Sequence, residues 1–90
     1  MRGVHVAISG RVQGVGFRHW VHGEARARGL CGWVRNRPDG SVEAVFFGPE
    51  HEVDAMLDAC WQGPDLALVA TVLISDTTER PSLFEVRPTA

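Results

Sequence analysis

Val4-His5-Val6-Ala7-Ile8-Ser9-Gly10-Arg11-Val12-Gln13-Gly14-Val15-Gly16-Phe17-Arg18-His19-Trp20-Val21-His22-Gly23-Glu24-Ala25 changes its hydrophobic period partway along. Val4, Val6 and Ile8 alternate with His5, Ala7 and Ser9, the period of two that marks a strand with one buried face. Gly10 is expected to end that strand. After a loop bearing two glycines, Phe17, Val21 and Ala25 recur at helical spacing, and Gly29 is the natural stop for the helix. The segment is therefore a strand, a glycine-bearing loop and a helix.

Working outward, Gly32 to Asn36 and Ser41 to Phe47 read as strands on either side of Arg37-Pro38-Asp39-Gly40. Pro presets one dihedral of a turn and Gly accepts positive φ, so the pair is a β-hairpin. A second helix follows, with Pro49 in its first turn, Glu50 and Glu52 near its positive end, and Gly63-Pro64 beyond its last turn. Val53, Met56, Leu57, Cys60 and Trp61 form its expected buried stripe. Leu68 to Ser75 is a strand rich in β-branched residues, Asp76 to Ser82 is a polar loop, and Leu83 to Arg87 is a short last strand. The order β-α-β-β-α-β plus one strand predicts a single α+β domain over residues 1–90. Its fold is a ferredoxin-like split β-α-β sandwich, with a mainly antiparallel sheet and both helices on one face.

Composition narrows the chemistry. Eleven acidic against nine basic residues give a formal net charge of -2, so no overall field draws nucleic acid or anionic lipid to the chain. Every basic residue is Arg and none is Lys, which removes a Walker-type phosphate lysine and a Schiff-base lysine. Cys31 and Cys60 stand far apart and outside any CxxC spacing, and are expected as two buried free thiols in a reducing cytoplasm. The start lacks a signal-peptide apolar region, and Leu66 to Ile74 is too short to span a bilayer. A cytoplasmic protein with no membrane partner is expected. The four histidines offer no metal geometry and read as surface positions, while Trp20, Trp33, Trp61 and the phenylalanines read as core.

The loop between the first strand and the first helix is where an anion would bind. Backbone N–H groups of Gln13, Gly14, Val15, Gly16, Phe17 and Arg18 converge there with the positive end of the helix, and Arg18 adds a planar fork of donors. Such a loop also serves as a plain tight connection, and a first-turn Arg as a solvated side chain. Asn36, just before the hairpin turn, likewise has a bland reading as a residue that caps the turn through its own side chain.

Gly10-Arg11-Val12-Gln13-Gly14-Val15-Gly16-Phe17-Arg18 resembles the signature phosphate loop of the acylphosphatase family. Gly29-Leu30-Cys31-Gly32-Trp33-Val34-Arg35-Asn36, with Asp39-Gly40-Ser41-Val42-Glu43 after it, resembles the family's second signature, and Gly48-Pro49, Gly63-Pro64 and Phe84-Glu85-Val86-Arg87 are similar to further family features. The stretch from Asp65 to Ser82 matches least. The resemblance implies a ferredoxin-like fold and hydrolysis of small-molecule acyl phosphates; with no clustered His, Cys and carboxylate ligand set in the sequence, no metal or cofactor is expected. It implies Arg18 as the phosphate-binding residue and Asn36 as the residue that positions water. Inorganic phosphate is expected in the loop as product and inhibitor, and a monomer is expected. An RNA-recognition domain shares the element order, but Ser41 to Phe47 has no basic residue and carries Glu43, so no nucleic-acid partner is expected.

Overall fold

The computed structural model describes residues 1–90. Its elements are β1 (Arg2–Arg11), α1 (Phe17–Ala27), β2 (Cys31–Asn36), β3 (Val42–Gly48), α2 (Glu50–Gln62), β4 (Leu68–Asp76) and β5 (Phe84–Val86). They form one five-stranded sheet in the order β4-β1-β3-β2-β5. β1 pairs antiparallel with β3 and β4, β2 pairs antiparallel with β3, and only the β2–β5 ladder is parallel. Each helix thus connects two parallel strands that have a third inserted between them, the ferredoxin-like arrangement.

Both helices lie on one face. The inward residues Val4, Val6 and Ile8 of β1, Val34 of β2, Val42, Ala44 and Phe46 of β3 and Val72 of β4 pack with Phe17, Val21 and Ala25 of α1 and Val53, Met56, Leu57 and Cys60 of α2. The Cys60 thiol is sealed in this core, and burial pushes its pKa up to about 12. Cys31, by contrast, is only half-buried. Trp61 departs from the expected stripe and is half exposed. At the helical pitch it sits about 80° round α2 from Val53, and α2 ends one residue later, so no neighbour covers it.

The sheet's other face is covered differently. Trp33 is buried there, not in the common core, because it stands in the opposite phase from Val34. The guanidinium of Arg35 lies 5.0 Å from its ring centroid and that of Arg87 lies 4.6 Å away, while its indole N–H donates to Glu79 at 3.0 Å. The loop after β4 crosses this face from one sheet edge to the other, with Arg80 over Phe47 at 5.0 Å. Beside Trp33, Glu43 accepts from His5 Nε2 at 2.6 Å and from Arg35 Nε at 2.7 Å. Burial raises the Glu43 pKa, and those donations with the Arg35 charge outweigh it, so the carboxyl ends below its ordinary range.

Two glycines frame the loop and the helix that follows it. Gly10 does not end β1, which runs on to Arg11 through a register shift between Ser9 and Gly10. Gly10 has φ 122°, and a Cβ there would sit 2.2 Å from the Leu68 carbonyl oxygen; only glycine lets β1 and β4 close across this bulge. At the other end α1 stops as expected at Gly29, where Gly29 N–H donates to Arg26 and Leu30 N–H to Ala25, closing the last turn.

Candidate functional site

Gly14 and Gly16 both adopt left-handed φ, 73° and 78°, and Gly16 is the residue from which α1 starts. The chain thereby curls so that its amide groups face outward at the helix N-terminus. No side chain caps this end and its first turn holds no acidic residue. None of the backbone amides from Gln13 to His19 donates to another group of the protein. Unpaired donors at a positive helix end form an anion cradle.

A cleft of about 640 Å³ opens over this loop. Val12, Gln13, Gly14 and Gly16 form its floor, Phe17, Arg18, His19 and His22 of α1 one wall, and Asn36 at the end of β2 with Val86 of β5 the other. Arg18 and Asn36, which lie eighteen positions apart in the chain, therefore share one cleft. Arg18 Nη1 donates to the Arg87 carbonyl at 3.2 Å. This holds the guanidinium against β5 and leaves its other N–H groups free to donate.

Not every residue expected in the loop contributes in the same way. Phe17 lines the cleft but buries its side chain in the core, whereas Val15 packs against the core and is the one expected loop residue that does not line the cleft. Gln13 Nε2 donates to the carbonyls of Arg37 and Ser41, both at 2.8 Å. Its side chain is committed to tying the loop to the β2–β3 hairpin that carries Asn36, and its backbone N–H is what remains for an anion.

Asn36 does not cap the hairpin turn. Asp39 does, accepting from the Ser41 hydroxyl at 2.6 Å and the Ser41 amide at 2.9 Å; the hydroxyl donation, with the amide behind it, holds the Asp39 pKa below its usual value. The Asn36 backbone oxygen accepts from Ala90 and its backbone pairs with Val42, while the side-chain amide has no partner within the protein. It faces the same side of the sheet as Val34, toward α1 and the loop.

Three further residues line the cleft that the sequence does not single out. His19 is exposed, as its surface reading expects, whereas His22, one helical turn on from Arg18, is half-buried; both line the cleft. Val86 had no local signal, because it reaches the cleft only through the parallel β2–β5 ladder.

Residues 4–86 match the acylphosphatase family model. Over 69 residues the chain is 56% identical to an acylphosphatase of Rhodospirillum rubrum, covering 77% of this chain and 76% of the relative. Over 87 residues it is 48% identical to an acylphosphatase of Rhizobium meliloti, covering 94% and 92%. The crystal structure of acylphosphatase from Bacillus subtilis superposes with a TM-score of 0.92 at 35% identity, over 97% of this chain and 99% of that one. Fold, loop and sequence agree over nearly the whole length, and the chain belongs to the acylphosphatase family.

Proposed function

We propose that this chain, a member of a hydrolase family, splits the mixed anhydride between a carboxylic acid and phosphate. It does so by in-line attack of a water molecule on phosphorus. The observation that carries this reading is that unpaired loop amides, Arg18 and Asn36 line the same cleft.

A carboxylate is a good leaving group, so no strong general acid is needed, and no side chain lining the cleft is a carboxylic acid or a thiol. The transition state is loose, with charge spread over the equatorial phosphoryl oxygens, so positioning and electrostatic stabilisation carry the catalysis. Arg18 and the amides from Gln13 to Arg18 hold those oxygens. Asn36, across the cleft, holds water in line with the scissile P–O bond. As the new P–O bond forms, the bond to the acyl oxygen breaks, the carboxylate leaves with its electron pair, and a phosphate oxygen accepts the proton from water. Inorganic phosphate, fitting the same cradle, is both product and inhibitor.

The reading includes no metal or cofactor. Nowhere in the chain do three His, Cys, Asp or Glu side chains gather as a ligand set. On this reading residues 1–90 act as one catalytic domain and as a monomer in the cytoplasm, with Arg18 and Asn36 lining one cleft. Purified protein with benzoyl phosphate and EDTA tests this. Equal release of benzoate and phosphate is expected; a chain that is inactive until a divalent ion is supplied would contradict the mechanism.

A further inference from the structure

The cleft does not stop at the phosphate cradle. It continues along the seam between α1 and β5, where Arg18 faces the Arg87 carbonyl and, one helical turn on, His22 faces Phe84. The two ring centroids are 6.1 Å apart at an interplanar angle of 50°. Residues four apart on a helix carry their Cβ atoms about 5–6 Å apart on the same side, so His22 stands one short acyl chain away from the phosphate held at Arg18.

His22 is half-buried, and neither ring nitrogen has a hydrogen-bond partner in the protein; the paired histidine is His5, with Glu43 on the opposite face. No carboxylate competes for it. Glu24, on the same helix, is engaged with Arg28 at 3.4 Å beside α2, and Glu85 of β5 lies beside Arg87 and aligns with Trp33 on the helix-free face. An imidazole with a free donor, beside a cation and in a cleft without acidic side chains, is built to receive a second negative group.

Building on the acyl phosphate reading above, we propose that His22 is a specificity-determining residue that selects acyl phosphates whose short acyl chain ends in a second carboxylate. The phosphate sits in the amide loop, the acyl chain runs past Val86, and the distal carboxylate accepts from His22.

The test compares kcat/KM for succinyl phosphate and butyryl phosphate, equal in chain length and different in terminal charge. It uses the wild type, His22→Gln, His22→Glu and His19→Gln, with circular dichroism to verify folding. The wild type is expected to favour succinyl phosphate. His22→Gln should lower that preference by roughly tenfold, the low end for a hydrogen bond to a charged group. His22→Glu should lower it further by placing like charge against the carboxylate, while His19→Gln should keep it. A preference equal in the wild type and His22→Gln, or moved as much by His19→Gln, overturns the assignment while leaving the hydrolase reading intact. Failure of the wild type to hydrolyse either substrate would overturn both.

Discussion

The two helices begin in contrasting ways. α2 starts after Pro49 with Glu50 and Glu52 in its first turn, whereas α1 starts after Gly16 with no acid there and Arg18 at its second position. Neither end has a side-chain cap. A helix N-terminus carries the equivalent of about half a positive charge, and acidic residues in the first turn normally answer it. α2 supplies its own answer. α1 adds a cation to a positive end, an arrangement that only an outside anion completes. Its geometry is held by other means: Phe17 anchored in the core and the Gln13 side chain bonded to the hairpin. Local stability has been set aside at one helix end and kept at the other, which is the arrangement the proposed phosphate site at α1 requires.

The largest way to break the contrast is to remove the cation. Arg18→Ala should lower kcat/KM on benzoyl phosphate by about 10³-fold or more, since losing a single neutral oxyanion donor already costs ~10²–10³. Arg18→Lys should remain severely impaired, because the ammonium lacks the planar fork. Stopped or coupled kinetics on both variants would measure this, and full activity of Arg18→Lys would show that charge alone suffices.

Gln13→Ala tests the brace. With the loop no longer tied to the hairpin, kcat/KM should fall about tenfold, within the ~10²-fold that a small misplacement can cost. Urea unfolding should show a loss of about 1–3 kcal/mol for two hydrogen bonds. A kinetic loss without a stability loss would instead assign the Gln13 side chain to the substrate.

Exchanging residues between the helix ends sharpens the comparison further. His19 and Glu52 occupy equivalent third positions. His19→Glu gives α1 its own carboxylate and should weaken phosphate inhibition several-fold while leaving stability equal or higher by about 0.3–1 kcal/mol. Glu52→His should lower stability by a similar amount and leave catalysis alone. Phosphate inhibition constants and thermal melts read both.

The smallest effect lies on the helix-free face. Glu43 has a lowered folded pKa, so its contribution to stability is fully present above the ordinary value of 4.5 and is lost as pH falls through the folded value. Between pH ~6 and ~3 the wild type should therefore lose stability more steeply than Glu43→Gln. Urea midpoints at the two ends decide it, and parallel losses would mean that the His5–Glu43–Arg35 cluster contributes nothing.

Much of this was legible in the sequence because it is local. The change of period from Val4 to Ala25, the Pro38-Asp39-Gly40 turn and the stop at Gly29 each act within a few residues, and all appear where expected. What stayed hidden depends on distant partners. The bulge at Gly10 is set by the Leu68 backbone, and Trp33 is buried by Arg87 and Glu79 from the far end of the chain. Trp61 carried the spacing of a core residue but lies past the edge of what α2 covers. At the site, the loop and Arg18 had a readable physical logic, whereas Asn36 drew its role from family resemblance alone. Side-chain commitments such as the Gln13 brace, and the places of His22 and Val86 in the cleft, follow from tertiary contacts that no local pattern encodes.

The central claim is a division of labour, in which the α1 end with Arg18 holds phosphate and Asn36 holds water. Asn36→Ala, with phosphate inhibition and kcat measured on the same preparation, tests it most directly. The account predicts kcat lower by ~10²-fold or more, with apparent KM and the phosphate inhibition constant near wild type. A wild-type kcat, or a loss of phosphate binding in step with the loss of kcat, would contradict it.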